Sequence, residues 1–109
     1  MEEIDPDMLN LFESLRAFLL ALGDDVTEKQ LKLYMTYRRI KNFACVVIQK
    51  KTLLVYLKIN PDTVELESGF ARDMREIGHW GTGDLELTLR NQEDLHKAEA
   101  LLVRGYEEA

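Results

Sequence analysis

The residues most able to do chemistry fall in one stretch, Ile77-Gly78-His79-Trp80-Gly81-Thr82-Gly83-Asp84. It holds the only tryptophan and one of the two histidines. An imidazole exchanges protons near neutral pH, and an indole offers a broad apolar face with one donor. Three glycines within six residues point to positive φ or close backbone approach. His79, Trp80, Gly81, Gly83 and Asp84 are therefore candidate ligand-binding residues, for a small molecule or a nucleotide, with hydrolysis as the attendant chemistry. A structural reading stands beside this one: a tight turn in which Trp80 covers the core edge and His79 bonds to backbone. The glycine spacing matches neither a Walker motif nor a dinucleotide fingerprint. The stretch also precedes a strand, so no helix N-terminus waits there for an anion.

Other chemistry is sparse. The single cysteine, Cys45, excludes a disulfide framework and a multi-cysteine metal site. It lies in the apolar run Phe43-Ala44-Cys45-Val46-Val47-Ile48 and reads as a small core residue. No His, Asp and Glu cluster has metal-ligand spacing, and no carboxylate pair is marked out for acid–base work. Neither a catalytic residue, a metal nor a cofactor is expected.

Charge gives the second candidate. From Glu28 to Lys58 there are eight basic residues and one acid, a local charge of +7. The formal net charge is −6, which leaves −13 on the remainder. Lys32, Tyr34, Arg38, Arg39, Lys41, Lys50, Lys51 and Lys58 mix cations with an aromatic ring. Cations neutralise phosphates and rings stack on bases, so these are candidate nucleic-acid-binding residues. The plain alternative is a solvated sheet face whose charges blunt edge pairing.

These residues need elements to hold them. The 109 residues, 46% apolar and 31% charged, suit a single folded domain, 1–109. Residues 6–22 read as an amphipathic helix, begun by Asp5 and Pro6 and stopped by Gly23. The period then drops to two. Residues 30–38 read as a half-buried strand, 43–48 as a central strand covered on both faces, and 52–59 as a third strand. Residues 69–77 are expected to hold a short helix, 84–90 a fourth strand, and 92–106 a final helix capped by Asn91 with Asp94 in a capping box. Short links imply antiparallel pairing. The expected fold is α+β: an antiparallel sheet of at least four strands, with N- and C-terminal helices packed on one face. Leu15, Phe18, Leu33, Val55, Leu57, Leu87 and Leu102 should form its core. The other face should expose Lys32, Tyr34, Thr36, Arg38, Tyr56 and Lys58.

No apolar run approaches the ~20 residues that span a bilayer, and the N-terminus is acidic. A reducing, cytoplasmic location is the expectation, with no membrane partner.

Several short segments resemble a bacterial and archaeal family of unknown function that carries the label "predicted transport protein". They are Lys32-Leu33-Tyr34-Met35-Thr36-Tyr37, Lys41-Asn42-Phe43, Gln49-Lys50-Lys51, and Ala71-Arg72-Asp73 leading into the stretch from Ile77 to Asp84. The resemblance spans residues 11 to 106. It implies a domain that often lies C-terminal to nuclease-like domains related to restriction endonucleases, and it supplies no catalytic residues. The transport label finds no membrane segment to support it. The reading that results is a non-enzymatic accessory module that binds nucleic acid or a partner such as a nuclease-like domain. A small-molecule or nucleotide site in the glycine-rich stretch and a dimerisation module are the alternatives.

Overall fold

The computed structural model describes residues 4–32, 34–39, 41–76 and 83–108. Helix α1, Pro6–Leu20, starts where the Asp5 carboxylate accepts the Asp7 N–H at 2.9 Å and proline takes the first helical position. Met8, Leu11, Phe12, Leu15 and Leu19 line its buried stripe. The helix ends at Ala21, earlier than expected, so Gly23 is not its stop. Gly23 instead leaves room for the Tyr106 hydroxyl to reach Asp25.

Six strands follow: β1 (Thr27–Gln30), β2 (Met35–Arg38), β3 (Asn42–Ile48), β4 (Leu53–Leu57), β5 (Ala71–Asp73) and β6 (Leu85–Leu89). They form one antiparallel sheet in the order β1-β2-β3-β4-β6-β5. Helix α2, Gln92–Glu107, closes the chain. Asn91 caps it by accepting the Asp94 N–H, and the Asp94 carboxylate reaches back to the Arg90 N–H, both at 2.9 Å. That is a capping box displaced by one residue.

Both helices lie on one face, as expected. Leu53, Val55 and Leu57 on β4 oppose Leu89, Leu87 and Leu85 on β6, and Ile48, Val46 and Ala44 on β3. These rows meet Leu11, Leu15, Leu19, Leu95, Ala98 and Leu102 in one core. Phe43 breaks the alternation. The register shifts between Tyr37 and Arg38, two β2 residues that face Ala44 and Asn42. Phe43 is the extra residue of this bulge, and its ring turns into the helix-side core, 5.9 Å from the Tyr106 ring.

Three sequence expectations fail. Residues 30–38 are not one strand. A turn at residues 31–34, closed by Leu31 N–H to Tyr34 O at 2.8 Å, folds them into the β1–β2 hairpin. Residues 69–76, the described part of the expected helix, hold the edge strand β5 and no helix. Gly69 enters it at φ +79°, a left-handed position that a helix start does not use.

Thirdly, the face turned from the helices is not simply open. Cys45, Tyr56 and Met74 form a second buried cluster there, with Tyr34, Val47 and Leu54 packed against it. Tyr56 and Thr36 are therefore buried rather than exposed. Leu33, expected in the core, lies outside the described residues, and Phe18 is half-buried.

Three tyrosines share one device, a phenol donating to a carboxylate that also pairs with an arginine. Tyr37 donates to Glu28 at 2.6 Å, beside Arg16 at 2.7 Å. Tyr56 donates to Glu86 at 2.8 Å, beside Arg72 at 3.2 Å. Tyr106 donates to Asp25 at 2.8 Å, beside Arg39 at 2.9 Å. Burial, and then the bond to the carboxylate, pushes the Tyr37 and Tyr56 phenols far above their ordinary range.

The carboxylates move the other way in two of these sets. Burial alone would raise Glu28, but the bonds from Arg16 and Tyr37 outweigh it and hold the group low. Tyr106 and Arg39 lower Asp25, and Arg75 lowers both Asp62 and Asp73. A depressed folded pKa contributes stability that is present above the unfolded carboxylate range, roughly 4. It is lost as pH falls through the folded values. Melting temperature should therefore hold down to about pH 5 and fall steadily below about pH 4. Glu28→Gln should flatten that fall, and a melting temperature constant from pH 6 to pH 3 would contradict it.

Candidate functional site

The glycine-rich stretch is placed only at its C-terminal end. His79, Trp80 and Gly81 lie outside the described residues. Gly83 has φ +131°, and a Cβ there would sit 2.7 Å from the Leu57 carbonyl oxygen. The Asp84 N–H donates to Leu57 O at 3.1 Å, and the Asp84 carbonyl accepts the Met74 N–H at 2.7 Å. Arg75 braces the same region, 2.8 Å from both Asp62 and Asp73. Gly83 and Asp84 thus close the base of the β5–β6 connection.

The basic residues divide between two ends of the sheet. Met35 pairs with Val46, and Ile48 pairs with Leu53, so the turns at 31–34 and 49–52 lie at one end. Lys32, Tyr34, Lys50 and Lys51 are brought together there. Arg38, Arg39, Lys41 and Lys58 lie at the other end, where Arg38 pairs with Asn42 and Ala44 with Leu57. The candidate nucleic-acid-binding residues therefore fall into two groups.

Arg39 is occupied by the fold. Its guanidinium pairs with Asp25, donates to Tyr106 O at 3.2 Å, and stacks 4.4 Å from the centre of the Tyr106 ring. Reversing its charge would disturb α2, so it is a poor probe of binding.

The first end has more shape. A trough of about 480 Å³ is lined by Ile4, Gln30, Leu31, Lys32, Tyr34, Met35, Val46 and Ile48. An adjoining hollow of about 510 Å³ is lined by Ile4, Ile48, Gln49, Lys50, Lys51 and Thr52. Ile4 and Ile48 belong to both, so the two are continuous. The 49–52 turn is held by Gln49 N–H to Thr52 O at 2.9 Å and Thr52 Oγ1 to Gln49 Oε1 at 2.7 Å. The Asp5 N–H donates to Lys50 O at 3.3 Å and places Ile4 on the floor. The neighbouring Asp5 carboxylate is engaged by the start of α1.

Electrostatics separates these lysines from most other cations. Arg16, Arg39, Arg72, Arg75, Arg90, Lys97 and Arg104 each pair with a carboxylate. Among the described residues, Lys29, Lys32, Lys41, Lys50, Lys51 and Lys58 have no side-chain ion pair or hydrogen bond. All six belong to the segment of +7 charge. A smaller groove of about 230 Å³ along β1–β3 holds Lys29 and Arg38 with Thr27, Thr36, Asn42 and Leu31.

Ile4, Gln30, Gln49 and Ile48 have no sequence signature and join the trough only through the hairpin and the N-terminal hydrogen bond. Among the described residues no three His, Cys, Asp or Glu side chains converge as a metal site. No helix among them is long and apolar enough to cross a membrane.

Comparison with known proteins adds kinship without function. The model of a family described as a domain of unknown function (DUF5655) matches residues 2–109. An uncharacterised protein of Haemophilus influenzae is 26% identical over 95 residues, covering 87% of this chain and 32% of the relative. The chain thus spans about a third of that relative's length. No solved structure matches.

Proposed function

Because the chain belongs to the DUF5655 family of domains of unknown function, we propose from its own surface that it is a non-enzymatic accessory module that binds nucleic acid. In this reading it works in the cytoplasm as one domain of a longer protein, beside a nuclease-like partner domain. Binding runs through the trough between the 31–34 and 49–52 turns, with Lys32, Lys50 and Lys51 on phosphates. The observation that carries the reading is the lysine pattern. Among the described residues, six lysines of this one segment have no partner, while six of the seven cations matched to carboxylates lie outside it, Arg39 being the exception. A cation not already neutralised gains most from a phosphate, through release of the counterions condensed on the nucleic acid. The acidic remainder of the chain repels a polyanion and so confines it to the basic segment. The length of the relative supports a role within a larger chain.

Fluorescence anisotropy with labelled oligonucleotides tests the reading. Affinity should fall with salt by a slope of roughly 0.7–0.9 per neutralised phosphate. Lys50→Glu with Lys51→Glu should weaken binding at least tenfold with an unchanged melting temperature. Lys41→Glu with Lys58→Glu, at the other end, should matter far less. Equal losses from the two pairs would move the site. An absence of binding at about 50 mM salt would end the nucleic-acid reading, since electrostatic affinity is strongest there. Retention of an acidic protein partner by the same lysines would then replace it.

A further inference from the structure

We infer that the trough accepts unstacked bases, so that its ligand is single-stranded nucleic acid rather than duplex. The inference rests on the nucleic-acid reading above and goes further by naming the strand state. Its basis is the mismatch between rim and floor. The rim carries Lys32, Lys50 and Lys51, which suit phosphates. The floor is apolar: Ile4, Met35, Val46 and Ile48. Val46 is fully buried, but Ile4, Met35 and Ile48 keep part of their surface accessible. A duplex presents charged, hydrated phosphates and grooves to a protein, and none of these covers an apolar floor. Base faces are flat and apolar, and they are available only from a strand whose bases can leave the stack.

Tyr34 strengthens the argument. Tyr34 packs against the Cys45–Tyr56–Met74 cluster and is also one of the residues that line the trough. A braced ring stacks on a base with little further loss of side-chain freedom. Gln30 and Gln49, at the edges of the same continuous depression, carry amides that both donate and accept. They suit any base edge and therefore imply little sequence preference. About 480 Å³ falls within the roughly 300–1,000 Å³ of sites that enclose small organic groups, enough for bases but not for a duplex.

The experiment compares three probes of equal length in one buffer: a single strand, its duplex, and an abasic strand with the same phosphates and no bases. The single strand should bind at least about tenfold more tightly than either of the others. Tyr34→Leu should weaken single-strand binding by about tenfold, as loss of one stacked base does. The same variant should leave abasic-strand binding unchanged, and Tyr34→Phe should restore the single-strand affinity. Thermal melts check that each variant folds. Duplex or abasic strand binding as tightly as the single strand would overturn this inference and leave the nucleic-acid reading standing. Failure of all three probes to bind would overturn both.

Discussion

Gly83→Val will melt at least about 12 °C below the parent protein. At φ +131° only glycine is comfortable, and strain of this kind costs about 1–3 kcal/mol by itself. The added Cβ would then lie 2.7 Å from the Leu57 carbonyl oxygen and 2.9 Å from the Leu57 nitrogen. That obstacle is backbone at the end of an inner strand, β4, and it cannot rotate away. Strain and clash together should cost about 3 kcal/mol or more, at roughly 4 °C per kcal/mol for a chain of this size. Because the first carbon makes the clash, Gly83→Ala should already show most of the effect. Gly69→Ala is the control. Gly69 also has positive φ, +79°, but a Cβ there meets nothing within 4 Å. It should lose only about 1–2 kcal/mol, the cost of left-handed backbone. Circular dichroism melts of the two alanine variants separate the terms. If Gly83→Ala melts no lower than Gly69→Ala, the Leu57 contact contributes nothing and the anchoring of the β5–β6 connection is misread.

Both helices were legible because their signals are local. Asp5 with Pro6, and Asn91 with Asp94, act within a turn of the residues they cap. Strands β3, β4 and β6 were legible because three or more apolar residues run together or alternate. β1 was not, since Thr-Glu-Lys-Gln contains no apolar residue. Its reason for existing is distant: Glu28 must face Tyr37 and meet Arg16. The reversal between Leu31 and Tyr34 has no local signal, because Leu-Lys-Leu-Tyr lacks glycine, proline, asparagine and aspartate, and its alternation runs unbroken into β2. β5 spans three residues, too few to display a period.

The site suffered from the same gap. Charge bias marked the segment from 28 to 58 without any structure. Which of its cations share an end of the sheet depends on the hidden turn, and that turn carries Lys32 and Tyr34 to the side of Lys50 and Lys51. Arg39 looks like any other cation until α2 brings Tyr106 against it, 67 residues away in sequence. Tyr56 likewise alternates as a surface residue would, yet Glu86 and Met74 cover it from strands and turns formed much later in the chain.

Leu57→Ala should destabilise the fold by about 2–5 kcal/mol, the cost of emptying a buried leucine site. Leu57 is fully buried at the centre of the helix-side core, between Ala44 and Leu85 on its neighbouring strands. Its position relative to α2 sets the size of the loss. A Cβ on Gly105 would lie 3.5 Å from Leu57 Cδ2 and 3.8 Å from Phe43 Cδ2, so α2 rests directly on both side chains. Sheet and helix are each held by many other contacts, and neither can collapse into the space left behind. The same geometry supplies a second variant. At 3.5 Å the Cβ of Gly105→Ala makes an ordinary contact, and alanine favours a helix interior over glycine by about 0.5–1 kcal/mol. Gly105→Ala should therefore be neutral or stabilising alone. Placed in the Leu57→Ala background, its methyl points at the vacated space and should recover more than it gains in the parent. Urea melts of the two single variants and the double variant measure that coupling. Strict additivity, or a loss below about 1 kcal/mol for Leu57→Ala, would mean that α2 does not bear on the sheet at this point.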